Sequence, residues 1–273
     1  MDARTRNNVN IVGNEQGPTI MLAHGFGCDQ NLWRFVTARL ASAFQVVLFD
    51  HVGSGQSDPA AWEPVRYAAL QSYADDILDV VRQLDLRDVV FVGHSVAAMM
   101  GVLAVATDPS RFAKLVLVTP SPCFVNDGDY YGGFSRADID ELLTSLERNY
   151  LGWSRAIAPT IVGADQPAEL QEELADTFCR TDPACAQVFA RTTFLSDNRR
   201  DLARVHTPTL IIECAHDALA PREVGAFVHE HIAGSTLLTL DATGHCPQFS
   251  VPGATADAIA DFAAASHVDR RHV

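Results

Sequence analysis

Ser95, Asp217 and His245 are the residues of this chain whose types and positions suit nucleophilic chemistry. Ser95 lies in Gly93-His94-Ser95-Val96-Ala97, after the β-favouring run "VVFV" and before an Ala/Met-rich run that ends at Gly101. This is a G-x-S-x-G pattern with Ala97 in the last place. A strained strand-to-helix turn exposes the serine oxygen above a sheet and aims the N-terminus of the new helix at it. Strand and helix then pass closely, so little bulk is tolerated two residues either side. Gly93 meets that demand, and Ala97 adds one methyl. The competing reading is a serine that caps a helix after an ordinary strand.

A serine hydroxyl is a weak nucleophile without a base. Asp217 in "IIECAHDALAP" and His245 in "LDATGHCPQF" each follow a β-type run, which presents them at a strand's carboxyl end. The order Ser, Asp, His is that of a hydrolase triad on an α/β sheet. His24, His94, His216, His229 and His231 compete for the base, but their placements read as structural or solvated. Asp241 is the rival acid, only four residues from His245, and would have to fold back. An oxyanion needs fixed donors. "HGFG" after the first apolar run offers the Phe26 N–H, and the residue after the nucleophile offers the Val96 N–H. "HVGSGQSD" at 51–58 lacks the Lys-Ser/Thr of a phosphate loop and the spacing of a dinucleotide site, so it reads as a turn. No His/Cys set has convincing metal-ligand spacing, and no metal or cofactor is expected.

The elements that must position these residues alternate at first. "TIMLAH" (19–24), "QVVLFD" (45–50), "DVVFVG" (88–93) and "KLVLVT" (114–119) read as strands. A helix over 73–86 starts at a capping-box-like Ser72 and Asp75, and another runs from Ser95 to Thr107. This βαβα rhythm predicts an α/β fold with a parallel sheet and helices on both faces. From 135 to 205 the pattern is helical without a strand, with an apolar stripe at 139, 142, 143, 146 and 150. Strands return at 208–214 and 236–241, separated by a helix beginning at Pro221, and a last helix covers 252–266. Ligands bind beyond the carboxyl ends of such strands, so the insertion would be a lid. The expected division is a core of 1–120 and 206–273 with a lid of 121–205.

Of the 273 residues 48% are hydrophobic, enough for a large core, and the net charge of -14 argues against nucleic acid or an anionic membrane as partner. The six cysteines include no C-x-x-C pair and read as reduced, mostly buried thiols. The polar start "MDARTRNNVN" has no signal-peptide core, and no apolar run is long enough to span a membrane. A cytoplasmic, monomeric protein is expected.

The blocks "HGFGCDQNLWRFV", "VVLFDHVGSGQSD", "VFVGHSVAAMMG", "PSPCFVNDGDYYGGF", "NYLGWSRAIAP", "FLSDNRRDL" and "ATGHCPQFS" carry a resemblance over about residues 7–265. They resemble the RsbQ-like α/β-hydrolases of bacterial stress-response (sigma-factor) regulation, and are similar to the plant strigolactone and karrikin receptor hydrolases of the same family. The resemblance implies an α/β-hydrolase fold with a four-helix lid inserted after the sixth strand. It implies the triad Ser95, Asp217 and His245, with oxyanion donors Phe26 and Val96. Phe26, Phe124, Phe134, Leu142, Trp153, Ile157 and Phe194 should line an apolar ligand pocket, ordinary lid packing being the other reading of these side chains. The implied activity is slow hydrolysis of a small hydrophobic ester or lactone, coupled to a sensor-domain phosphatase. A metabolic carboxylesterase or lactonase, and a cofactor-free haloperoxidase or C–C hydrolase, are alternatives on the same fold.

Overall fold

A computed structural model describes residues 2–163 and 165–265. Residues 1, 164 and 266–273, which the expected core and lid ranges include, lie outside the described residues, as does the Arg270-Arg271 pair. The strands are β1 (Asn10–Gly13), β2 (Thr19–Ala23), β3 (Gln45–Leu48), β4 (Val89–His94), β5 (Phe112–Val118), β6 (Thr209–His216) and β7 (Thr236–Thr243). The helices are α1 (Ala3–Arg6), α2 (Arg34–Leu40), α3 (Leu70–Gln83), α4 (Val96–Thr107), α5 (Arg136–Arg148), α6 (Tyr150–Val162), α7 (Ala168–Arg180), α8 (Pro183–Phe194), α9 (Arg222–His231), α10 (Pro247–Ser250) and α11 (Pro252–Ala264). One sheet has the order β1-β3-β2-β4-β5-β6-β7, parallel except for β1 against β3. This is the α/β-hydrolase fold.

Alternation along β4 divides the core. Val89 and Phe91 point into the layer that holds α3 and α4, whereas Val90 and Val92 face Trp33, Val36 and Ile259 on the other side. Both faces are covered, so every β4 residue is buried, as a central parallel strand requires. Helix α4 is apolar all round because it is buried from Val96 through Val105. Gly101 lets it close on the sheet: a Cβ there would come within 2.6 Å of the Phe91 ring.

Several expectations shift. Asp2 caps α1 by accepting from the Arg4 and Thr5 N–H groups, and residues 3–6 wind into a helix. Only β1 precedes β2, so the helical insertion α5–α8 follows the fifth described strand, not the sixth. β1 itself escaped the periodicity because it has four residues and is largely exposed. Helix α3 begins at Leu70 without a side-chain cap. Ser72 donates to the Arg66 carbonyl instead, and Asp75 accepts from Gln71. The stripe at 139–150 spans two helices, with Tyr150 opening α6. No helix among the described residues is long and apolar enough to cross a membrane.

Lys114, the chain's one lysine, ties the last helix to the sheet. Its buried Nζ donates to the carbonyls of Phe262 (2.6 Å), Ala263 (2.9 Å) and Ala265 (2.7 Å). A cation there answers both the unpaired carbonyls and the negative end of the helix dipole. Lys114→Met should lower stability by about 2 kcal/mol in urea unfolding, and an unchanged midpoint would show that α11 is held by packing alone.

Candidate active site

The turn after β4 holds Ser95 at φ 58°, ψ -125°, a conformation that costs a non-glycine residue about 1–3 kcal/mol. The Ser95 N–H donates to the Val118 carbonyl on β5 (2.9 Å), and the Ser95 carbonyl accepts from the Ala98 N–H (2.9 Å). Gly93 makes the turn possible. A Cβ there would collide with the Ala97 carbonyl and come within 2.8 Å of the Ala98 nitrogen. It is the main chain of Ala97 that Gly93 meets, so the alanine methyl is no obstacle.

His245 stands in the loop after β7. Its Nε2 accepts from the Ser95 hydroxyl (2.8 Å), and its Nδ1–H donates to Asp217 Oδ2 (2.7 Å). The other Asp217 oxygen accepts from the N–H groups of Leu219 (2.8 Å) and Ala220 (3.1 Å). The Asp217 side chain has no exposed surface, and that of His245 is 4% exposed. The three expected residues therefore form one hydrogen-bonded line, which can relay a proton from hydroxyl to imidazole and stabilise the imidazolium. Asp241, the rival, is exposed on β7. His216 is exposed. His229 bonds Ser235 and His231 the Phe227 carbonyl, away from this site.

The main chain of His245 is gripped from three sides. Its N–H donates to the Ile161 carbonyl at the end of α6 (2.7 Å). Its carbonyl accepts from His94 Nε2 (2.8 Å) and from Thr119 Oγ1 (3.1 Å). Thr119, at φ 46°, was invisible to motif reading. The neighbouring Gly244 passes so close to the Val162 carbonyl that a Cβ would collide with it.

The buried histidines set the loops around the serine. His24 Nδ1–H donates to the Gly25 carbonyl (2.9 Å), and its Nε2 accepts from the His51 N–H (3.1 Å). His51 Nε2–H donates to the His24 carbonyl (2.9 Å). These bonds shape the segment that carries Phe26. Among the described residues neither the Phe26 N–H nor the Val96 N–H has an acceptor, the condition an oxyanion would need. Burial pushes the pKa of His24, His51 and His94 below the ordinary imidazole value, with like-charge contact with His24 adding to it for His51 and with His245 for His94. Asp50, just before the turn at 51–58, accepts from the N–H groups of Gln30 and Gln56 (both 2.9 Å).

Over the serine lies a partly enclosed chamber. Phe26, Phe124, Leu142, Trp153, Ile157 and Phe194 line it as expected, together with Ser95 and His245. Phe134 is not among the lining residues; its ring packs against Phe124, centroids 6.5 Å apart. Cys28, Ile161, Phe178, Thr193, Leu219 and Cys246 are lining residues the sequence reading missed. Phe26 is the hub, with its ring 5.5–6.1 Å from those of Phe189, Phe178, Phe194 and Trp153. The chamber leaves about 30 Å³ to the centre of a water-sized sphere, room for a couple of waters.

Sheet, turn and triad geometry are those of an α/β-hydrolase, and residues 20–258 match the model of the alpha/beta hydrolase family, to which this chain belongs. The chain is 38% identical to a probable esterase of Oryza sativa subsp. japonica, over 90% of this chain and 91% of that protein. It is 39% identical to a strigolactone esterase of Arabidopsis thaliana, again over 90% and 91%. A hydrolase structure from Oleispira antarctica superposes with a TM-score of 0.94 at 42% identity, covering 96% of each chain.

Two measurements test this geometry. Gly93→Ala should destabilise the protein by about 3 kcal/mol through overpacking at the turn, read by urea unfolding. The buried imidazoles bind fewer protons folded than unfolded, so stability should be intact above pH 6.5 and fall as pH drops below it. His94→Gln, which keeps a donor for the His245 carbonyl, should reduce that slope by about 1.4 kcal/mol per pH unit. An unaltered slope would mean His94 protonates in the folded protein.

Proposed function

We propose that this chain is a serine hydrolase of the esterase/lactonase type, with Ser95 as nucleophile, His245 as base and Asp217 as its orienting carboxylate. The carrying observation is the line of two hydrogen bonds from Ser95 through His245 to Asp217 beneath an apolar chamber. Ser95 Oγ attacks the ester carbonyl while its proton passes to His245 Nε2. The developing oxyanion is held by the Phe26 and Val96 N–H groups, and its collapse expels the alcohol, which takes the proton from His245. Water, activated by the same imidazole, then releases the acid and restores Ser95. The chamber selects a small hydrophobic ester or lactone, bound by Phe26, Phe124, Leu142, Trp153, Ile157 and Phe194. Residues 121–205 act as lid to a core of 1–120 and 206–273.

We further propose that binding or slow turnover of this ligand lets the lid surface engage a partner in signalling. The relatives named as strigolactone esterases support turnover of a small ester or lactone, and the RsbQ-like blocks spread along the chain support a slow, cytoplasmic regulator working through a sensor-domain phosphatase. Pull-down from the native cell with and without ligand tests the partner. A chain that captures no phosphatase yet turns over esters rapidly is a metabolic esterase.

The hydrolytic reading is tested with p-nitrophenyl butyrate. Ser95→Ala should lose on the order of a millionfold in kcat, and Asp217→Asn on the order of ten-thousandfold, with folding intact. Intact mass during turnover should show one acyl group on the wild type and none on Ser95→Ala. Unchanged hydrolysis in Ser95→Ala would remove the serine from the mechanism.

A further inference from the structure

Thr193 carries a buried hydroxyl with nothing to bond in the wall of a largely apolar chamber. The residue is 1% exposed and lines the chamber beside Ser95 and His245. Among the described residues its Oγ1 has no hydrogen-bond partner. Helical threonines ordinarily return the hydroxyl to the carbonyl four residues back. Thr107, Thr144, Thr177 and Thr192 all do so, at 2.7–2.9 Å. Thr193, next to Thr192 on α8, does not. His94 also lines the chamber and its Nδ1 is also bare, but that atom is crowded by Gly25, where a Cβ would come within 2.8 Å of it. The remaining lining is aromatic, aliphatic or thiol, and burial raises the pKa of the Cys28 and Cys246 thiols. A buried hydroxyl without a partner costs free energy that a ligand with the right atom recovers.

Resting on the esterase reading above, we infer that Thr193 is a specificity residue whose O–H donates to a second oxygen of the substrate, remote from the scissile carbonyl. The favoured class is then a small ester or lactone that carries an additional ether, carbonyl or ring oxygen, and a plain alkanoate ester is a poorer fit. The hydroxyl takes no part in bond breaking. It holds the far end of the ligand so that the carbonyl meets Ser95.

The test uses two esters of equal length, p-nitrophenyl butyrate and p-nitrophenyl methoxyacetate, in which an ether oxygen replaces a methylene. The intrinsic reactivity of the two differs, so the readout is the ratio of their kcat/KM values, compared between proteins. Thr193→Val, which keeps the shape and removes the hydroxyl, should lower the methoxyacetate-to-butyrate ratio about 3- to 10-fold, the worth of one buried hydrogen bond. Thr193→Ser should keep the wild-type ratio. The same comparison is made for binding alone on the Ser95→Ala background, with the corresponding methyl esters followed by Trp153 fluorescence. There Thr193→Val should weaken methyl methoxyacetate 3- to 10-fold and leave methyl butyrate unchanged. If both esters respond alike to Thr193→Val in both assays, the inference is overturned. Loss of Ser95-dependent hydrolysis in the wild type would strike the esterase reading alone, because the binding comparison still decides the role of Thr193.

Discussion

The close pass of α4 over β4 is the constraint on which the site depends. Ser95 reaches the chamber floor only because the chain reverses within one residue, in a conformation that side chains avoid. Gly93 and the Ala97 carbonyl occupy the same narrow space. The strain is sustained by what surrounds it: α4 is buried along its length, and the Ser95 N–H is bonded to β5. A helix that exposed one face to water could relax and let the serine swing away. This one is enclosed and holds it.

His245, the proposed base, is positioned by a different logic. His245 sits in a loop, and its imidazole is aimed by Asp217, but its main chain is fixed by groups distant in sequence. Ile161 supplies an acceptor from α6, while His94 and Thr119 supply donors from the ends of β4 and β5. Because α6 also lends Trp153, Ile157 and Ile161 to the chamber wall, the helix that touches a ligand is the helix that holds the base. Core and insertion are thus joined at His245 itself.

The triad was legible because strand-end position and residue type coincide at Ser95, Asp217 and His245. The parallel sheet was legible because the buried strands are short apolar runs. β1 was not, since four half-exposed residues carry no period. Ser72 misled because its hydroxyl found the Arg66 carbonyl in place of a helix N-terminus. Phe134, carried over by resemblance, packs against Phe124 and is not a lining residue, a difference of depth that a matching position does not reveal. Thr119 and Thr193 were missed for the opposite reason: a small polar side chain acquires its role from what it fails or manages to reach in three dimensions.

Lys114 has a consequence for the surface. The chain's one lysine spends its ammonium group on the last carbonyls of α11, so every other cationic side chain outside the histidines is a guanidinium. Acyl groups passing through an esterase are electrophiles that amines capture and guanidinium groups do not. A protein built this way offers no free side-chain amine for its own acyl intermediate, or for any activated ester in the medium, to modify. Its positive surface is chemically inert to the reaction it is built to run.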